Sequence, residues 1–269
     1  MNILLGADPE LFLSEHGKFV SAHQVIPGTK KNPFPVKLGA VQVDGMAVEF
    51  NISPAASESQ WVTNVDTVLR ELRRMVPENL DINITATADF DERYMEAQPM
   101  EAKMLGCDPD FCAYTGEPNP APSLHPTMRT AAGHIHVGWT EGMDVGNPNH
   151  IYSCMVLAIQ LDYALGLPSI IHDPDTRRRE MYGMPGSFRP KSYGMEYRVL
   201  SNFWLNSVQL MREVYNNTIF AHQSLTGGIN FDAYTQNKMN VTAKTIIEQN
   251  DVPMAMRVCN MLNIQYRGR

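Results

Sequence analysis

Apolar and polar residues alternate with period 2 in several short stretches of this chain and recur at helical spacing in others. Residues 2–13 read as a strand that carries Gly6-Ala7-Asp8-Pro9-Glu10 inside it, with Lys18–His23 as a hairpin partner and a loop over Thr29–Lys37. Val41–Ser53 is a second β unit, folded back at Asp44-Gly45, a strong hairpin signal. On its second arm Ala47, Glu49 and Asn51 share one face, while Val48, Phe50 and Ile52 share the other. Ser57–Val76 is an amphipathic helix: Ser57 and Gln60 form a capping box, and Trp61, Val65, Val68, Leu72 and Met75 make the apolar stripe. Pro77 ends it.

Further strands are expected at Ile82–Ala86, Gly133–Thr140 and Gly194–Leu200, and an irregular loop at the proline-rich Thr115–Pro126. Helices are expected at about His150–Leu165, ending at Gly166-Leu167-Pro168, and at Phe203–Gln223, Val241–Gln249 and Pro253–Ile264. Strands come first, helices lie between and at the end, and no βαβ rhythm appears. The expected architecture is therefore α+β with a largely antiparallel sheet, folded as one domain over 1–269. Gly106-Cys107-Asp108-Pro109-Asp110-Phe111 echoes the Gly6–Leu11 stretch, too briefly to mark a repeat.

Length and composition narrow the function without naming it. The chain has 269 residues, 43% of them hydrophobic, enough to bury a core without disulfides or structural metal. The net charge of -7 gives no general affinity for nucleic acid. Cys107, Cys112, Cys154 and Cys259 form no C-x-x-C pair, and free thiols in a reducing compartment are expected. The N-terminus lacks a signal-peptide pattern. Ile151–Ile171 is apolar, but Gln160, Asp162 and Pro168 interrupt it, so a buried helix is expected and no membrane span. Together these readings point to a cytoplasmic protein.

Two signals carry chemistry. The first is a set of carboxylates and histidines on strands. In Gly133-His134-Ile135-His136-Val137-Gly138 the histidines fall on one strand face. A lone His-x-His is more often structural than a ligand pair. Glu10, Glu49 and Glu196, with Asp8 and Asp44, also lie on strands, where carboxylates are disfavoured. Buried charge is costly unless paired or metal-bound. Such glutamates with His134 would make an oxygen-rich site suited to Mg²⁺ or Mn²⁺ rather than zinc. Each glutamate could equally pair with an arginine or face solvent. The second signal is basic: Arg177-Arg178-Arg179, then Arg189, Lys191 and Arg198, in a Gly/Pro-rich segment. Guanidinium groups suit phosphate oxygens. No P-loop, dinucleotide fingerprint or nucleophile elbow is present.

These motifs resemble the carboxylate–amine ligases of the glutamine synthetase / glutamate–cysteine ligase superfamily, and more closely its compact phage-encoded amidoligases. The matching stretches are Gly6–Glu10, Asp44–Pro54, Gly133–Gly138 and Gly194–Val199, in the family's order. The resemblance implies a glutamine-synthetase-like curved, mainly antiparallel sheet flanked by helices, with ATP and Mg²⁺ or Mn²⁺ at the site. It implies metal ligation by Glu10, Glu49, His134 and Glu196. His136 would lie nearer the phosphates, Arg198 on the transferred phosphate, and Arg179 at an upstream phosphate position whose register the arginine run leaves open. Glu196, Arg198 and Glu49 would serve catalysis. The reaction implied joins a carboxylate to an amine through an acyl phosphate, and the substrates could be small molecules or peptides. A homo-oligomer is possible, and the host cytoplasm is the expected location if the chain is phage-encoded. Two rival readings stand beside it: a metal-dependent hydrolase using the same His/Glu cluster, and a non-catalytic binding protein with a degenerate ligase fold.

Overall fold

The structure is a computed structural model, and it describes residues 3–103, 109–120 and 125–266. The Gly106–Asp108 part of the near-repeat, Cys107 included, lies outside the described residues. In chain order the strands are β1 (Leu4–Glu15), β2 (Lys18–Val20), β3 (Phe34–Val36), β4 (Gly39–Asp44), β5 (Ala47–Ile52), β6 (Asp81–Asn83), β7 (Thr87–Asp89), β8 (Phe111–Cys112), β9 (Met128–Thr130), β10 (Gly133–Gly138), β11 (Ser187–Lys191) and β12 (Gly194–Tyr197). The helices are α1 (Glu58–Met75), α2 (Glu92–Ala97), α3 (Met100–Lys103), α4 (Pro148–Leu161), α5 (Leu167–His172), α6 (Arg177–Met181), α7 (Val208–Thr226), α8 (Phe231–Met239), α9 (Ala243–Glu248) and α10 (Val252–Leu262).

Among the described residues ten strands form one open sheet, in the order β3-β4-β5-β1-β10-β12-β11-β8, with β2 and β6 added on β1. Every pairing between these strands is antiparallel, as the α+β reading requires. The long β1 holds the sheet together by changing partners along its length. Leu4–Pro9 pair with β10, Glu10 and Leu11 with β5, and the last residues with β2 and β6. β7 and β9 make a separate two-stranded ribbon.

One face of the sheet is apolar and covered by helices. Leu5, Ala7, Leu11, Val41, Val48, Phe50, Ile135, Val137, Met195 and Tyr197 all join the large core on that side. α1 packs on β4 and β5, α4 on β11 and β12, and α7 lies against both helices. The stripe on α1 is why it docks there: Trp61, Val65, Val68 and Leu72 are fully buried, each contributing roughly 1.5–3 kcal/mol of transfer free energy. Its start is fixed as expected, with Ser57 Oγ accepting from Gln60 N–H at 3.2 Å, while Gln60 Oε1 accepts from Ala56 N–H at 2.9 Å. Trp61 and Trp204 meet in this core at 5.5 Å between ring centroids. The opposite face of the sheet carries the polar residues. It is capped at the far end of β1 by a smaller cluster around Phe12, Phe90 and Met95.

Several boundaries differ from the sequence reading. The loop Thr29–Lys37 contains β3, an edge strand in which Pro35 is tolerated because β3 pairs on one side only. The helix expected to stop at Gly166-Leu167-Pro168 continues to His172 through a π-helical turn, Asp162–Gly166. The wider turn leaves Pro168 in the first turn of α5, where no N–H is needed. Of the apolar window within Pro148–His172, 83% is buried inside the protein. Phe203–Gln223 is broken: Asn202–Asn206 is a 3₁₀ turn, and Ser207 caps a new helix, accepting from Leu210 N–H at 3.1 Å. Helices α6 and α8 had no visible apolar stripe; α8 buries only Phe231 and Thr235.

Candidate active site

Strand register gathers the charged residues. On β1, Gly6, Asp8 and Glu10 alternate with the core residues and so face away from the helices. Antiparallel pairing sets Gln42, Glu49 and Glu10 side by side across β4, β5 and β1. It sets Asp8 opposite His134, and places Gly6, His136, Glu196 and Arg189 in a row across β1, β10, β12 and β11. Residues more than 180 positions apart in sequence thus meet on one surface through backbone pairing alone.

Two acidic groups result. Asp8, His136 and Glu196 each offer a ligand atom within 4.8 Å of the others, and Glu10, Asp44 and Glu49 do the same. Asp8 is shared between the histidines: its Oδ1 lies 3.4 Å from His134 Nδ1 and its Oδ2 3.1 Å from His136 Nε2. Burial alone would raise the Asp8 carboxyl, but His136 and His134 hold it well below the usual carboxylate range. Burial pushes Glu10 up to about 7, helped by Asp44, against a hydrogen bond from Ala132 N–H. Burial also raises Glu49, together with the charges of Asp8, Glu10 and Asp44, although Gln42 Nε2 donates to it at 2.7 Å. Burial, then the neighbouring Arg198, lowers His134 to about 4, so its ring is neutral near pH 7. Burial opposes charge on His136 too, yet Asp8 outweighs it and the group is raised.

Burial first, and then the mutual repulsion of these crowded carboxylates, raises Glu10 and Glu49, and a bound cation would relieve both penalties. Asp8 Oδ1 and His134 Nε2 are buried and make no hydrogen bond. Carboxylate oxygens with one or two imidazoles form a donor set for Mg²⁺ or Mn²⁺. The residues present therefore fit the group the sequence implied. Of the histidines, His136 falls within the three-residue group, and His134 stands beside it with a free ring nitrogen.

The basic side of the site centres on Glu196, which is 1% exposed. Arg189 Nη1 and Lys191 Nζ reach its Oε2 at 3.2 and 2.9 Å, His134 Nδ1 reaches Oε1 at 3.3 Å, and Arg198 Nη1 also binds Oε1. Arg198 Nε is held by Asp110 at 3.1 Å. The arginine run separates into three roles. Arg177 pairs with Asp89 and Asp175 near the surface. Arg179, which the resemblance sets at an upstream phosphate position, donates to Asp173 O and Asn250 Oδ1. Arg178 is the buried member, donating to Val199 O at 2.6 Å. It lies 5.4 Å from the Tyr182 ring, with Arg198 at 5.3 Å. The helical turn of α6 explains this, because it points adjacent residues in different directions.

Beyond the charged row, a cleft of about 870 Å³ opens along the start of β1. Asp8, Glu49 and His136 line it together with Leu4, Ile52, Pro54, Trp139 and Tyr193. Gly6, opposite His136, leaves room there. The Tyr193 hydroxyl hydrogen-bonds His136 Nδ1. Sequence reasoning gave no roles to Tyr182, Tyr193, Asp110 or Gln42. For Arg189 and Lys191 a signal existed: they alternate on the strand preceding Glu196, and the short Ser192-Tyr193 turn fixes their register.

No curated protein matches this chain in sequence. A bifunctional glutathione synthetase from Pasteurella multocida aligns in structure with 10% identity and a TM-score of 0.46, covering 99% of this chain and 47% of that one. This chain thus spans about half the length of that synthetase. A novel glutamine synthase homolog aligns with 12% identity and a TM-score of 0.35, over 97% of this chain and 67% of that one. Residues 123–234, which include the histidine strand, the arginine run and the Glu-x-Arg strand but not Glu10 or Glu49, match the family model described as phage phiEco32-like COOH.NH2 ligase-type 2, and over that segment the chain is similar to this family.

Proposed function

We propose that this protein is an ATP-dependent ligase that joins a carboxylate to an amine through an acyl phosphate. The observation that carries the reading is the order of chemistry along one sheet face. Two three-residue metal-ligand groups lie at its centre, cations lie on one side, and an apolar, aromatic cleft opens on the other. That order suits a nucleotide whose base sits in the cleft and whose phosphates run over the charged row. The family match over residues 123–234 supports the same reaction class.

Asp8, His136 and Glu196 would hold one divalent cation, with His134 adjacent, and Glu10, Asp44 and Glu49 another. Mg²⁺ or Mn²⁺ supplies charge neutralisation of the phosphate oxygens when bound. Trp139, Tyr193, Leu4 and Ile52 would enclose the base. Arg189, Lys191 and Arg198 bring positive charge to the transferred phosphoryl group, where catalysis consists mainly of positioning and charge stabilisation. A carboxylate oxygen of one substrate attacks the γ-phosphorus and ADP leaves. The amine nitrogen of the second substrate then attacks the acyl carbon, inorganic phosphate leaves, and the amine proton passes to a carboxylate of the site.

The test is a screen of carboxylates with amino acids, peptides and polyamines, reading ADP release and the mass of any amide. Arg198→Ala and Glu196→Gln should abolish substrate-dependent ADP release. Full activity in Arg198→Ala would sink the assignment. Turnover that needs metal but no ATP would favour a hydrolase.

A further inference from the structure

Glu196 takes part in two sets of contacts that compete. It is one of the three possible ligands of the Asp8–His136–Glu196 group. It is also the counter-charge for a ring of donors. His134 and Arg198 occupy Oε1, and Lys191 and Arg189 occupy Oε2. A carboxylate has about four lone-pair positions; three cationic side chains already engage both oxygens, and the His134 ring lies 3.3 Å from Oε1. A dication entering beside Asp8 and His136 must therefore share or displace these donors, and it meets their positive charge at close range. Asp8 Oδ1, buried and without a hydrogen bond, and the unpartnered His134 Nε2 show that the same spot still has ligand capacity to spare.

We infer that Glu196 couples the binding of divalent cation and polyphosphate, with Lys191 as the group that changes partner. This rests on the reading of the site as a metal–nucleotide site. With both ligands absent, Lys191 neutralises Glu196. Cation alone binds weakly, because it must compete with the ammonium. Polyphosphate alone binds weakly, because the ammonium is already paired and the carboxylates repel the anion. When both bind, phosphate oxygens accept Lys191 and Arg189 while the cation takes Glu196, and each ligand removes the other's penalty. Lys191 is suited to this exchange. Its side chain is 29% exposed, on a flexible stem, whereas Arg198 is 5% exposed and fixed by Asp110.

The experiment measures Mn²⁺ binding by calorimetry or paramagnetic resonance, with and without inorganic tripolyphosphate, corrected for the complex the two form in solution. In the wild type each ligand should tighten the other by about fivefold or more, equally in both directions, as reciprocity requires. Lys191→Met should bind Mn²⁺ alone more tightly than the wild type and tripolyphosphate less tightly, and the coupling should shrink. Lys191→Gln should do the same, and Lys30→Met, which removes the lysine on Asp44 of the other group, should leave the Glu196-dependent coupling in place. If Lys191→Met weakens both ligands, or changes neither, the inference is overturned. If both ligands bind the wild type independently, the coupling fails while the metal–nucleotide reading stands. If neither binds, both fail.

Discussion

The Tyr197 hydroxyl donates a 2.7 Å hydrogen bond to Asp162, on the face of β12 opposite the one that presents Glu196. Asp162 is fully buried and also accepts from the Tyr114 hydroxyl at 2.8 Å, four residues after the Asp110 that holds Arg198. One carboxyl behind the sheet therefore ties together two segments that bear on Arg198.

That carboxyl predicts a pH dependence of stability. Burial raises Asp162 to about 7, although the two tyrosine hydroxyls favour its charged form. In the unfolded chain it would titrate near 4. Between these values the folded protein holds more protons, so the stability this group contributes is complete below about pH 4 and is lost as pH rises to about 7. The full effect is on the order of 4 kcal/mol. Asp162→Asn cannot titrate. The melting temperature of the wild type minus that of Asp162→Asn should fall across this window, and parallel melting curves from pH 4 to 7 would contradict the account.

The flanking of Tyr182 by two guanidinium groups predicts which substitution there is tolerated. Arg178 and Arg198 lie 5.4 and 5.3 Å from its ring centroid, and the His134 ring is 6.0 Å away. Such contacts contribute about 0.5–2 kcal/mol each. Tyr182→Phe keeps the ring and should retain ligand binding and turnover. Tyr182→Leu keeps the bulk but loses the ring face, and should lower turnover by about tenfold. Equal loss in both variants would assign the role to the hydroxyl instead.

Gly133, at the start of the histidine strand, predicts a steric limit. A Cβ there would lie 2.3 Å from Ser201 O and 2.5 Å from Trp204 Nε1. The Trp204 indole N–H donates to Gly133 O at 3.1 Å in the same place. Gly133→Ala must shift backbone or the buried tryptophan. It should cost roughly 2–4 kcal/mol, measured by denaturant unfolding. Gly6→Ala, where the nearest atom is His136 Cβ at 3.5 Å, should be close to neutral for stability.

The carboxylate groups predict a ligand-dependent stabilisation. Mn²⁺ with a non-hydrolysable ATP analogue at about 100 times its dissociation constant should stabilise the wild type by about 2.7 kcal/mol. Asp8→Asn and Glu49→Gln each remove one member of a different group, so each should reduce the thermal shift and the number of Mn²⁺ bound. Without ligand, Glu49→Gln should not destabilise, because burial and neighbouring carboxylates already disfavour charge on Glu49. A large loss of ligand-free stability in that variant would argue against the crowding.

Much of this site was legible in the chain itself. Period-2 alternation placed Glu49 and Asn51 against Val48, Phe50 and Ile52, and it put His134 and His136 on one face. Those assignments need only the pleat of a strand, a local property. Ser57, Gln60 and Pro77 set the limits of α1, and Asp44-Gly45 set the β4–β5 turn, with Gly45 at φ +58°, again through short-range chemistry. Alternation says which face a residue takes, but not which distant residue stands beside it. That depends on register, and register here is fixed by how β1 pairs in turn with β10, β5, β2 and β6 over a shared core. Only the tertiary structure therefore divided the carboxylates into two groups and set both His134 and His136 against Asp8. It also turned Arg178 inward and Arg179 away, brought Lys191 and Arg189 onto Glu196, and put Asp162 behind the strand that carries Glu196. Each of these relationships joins residues far apart in sequence, and they become neighbours only when burial of the apolar face locks the strands in place.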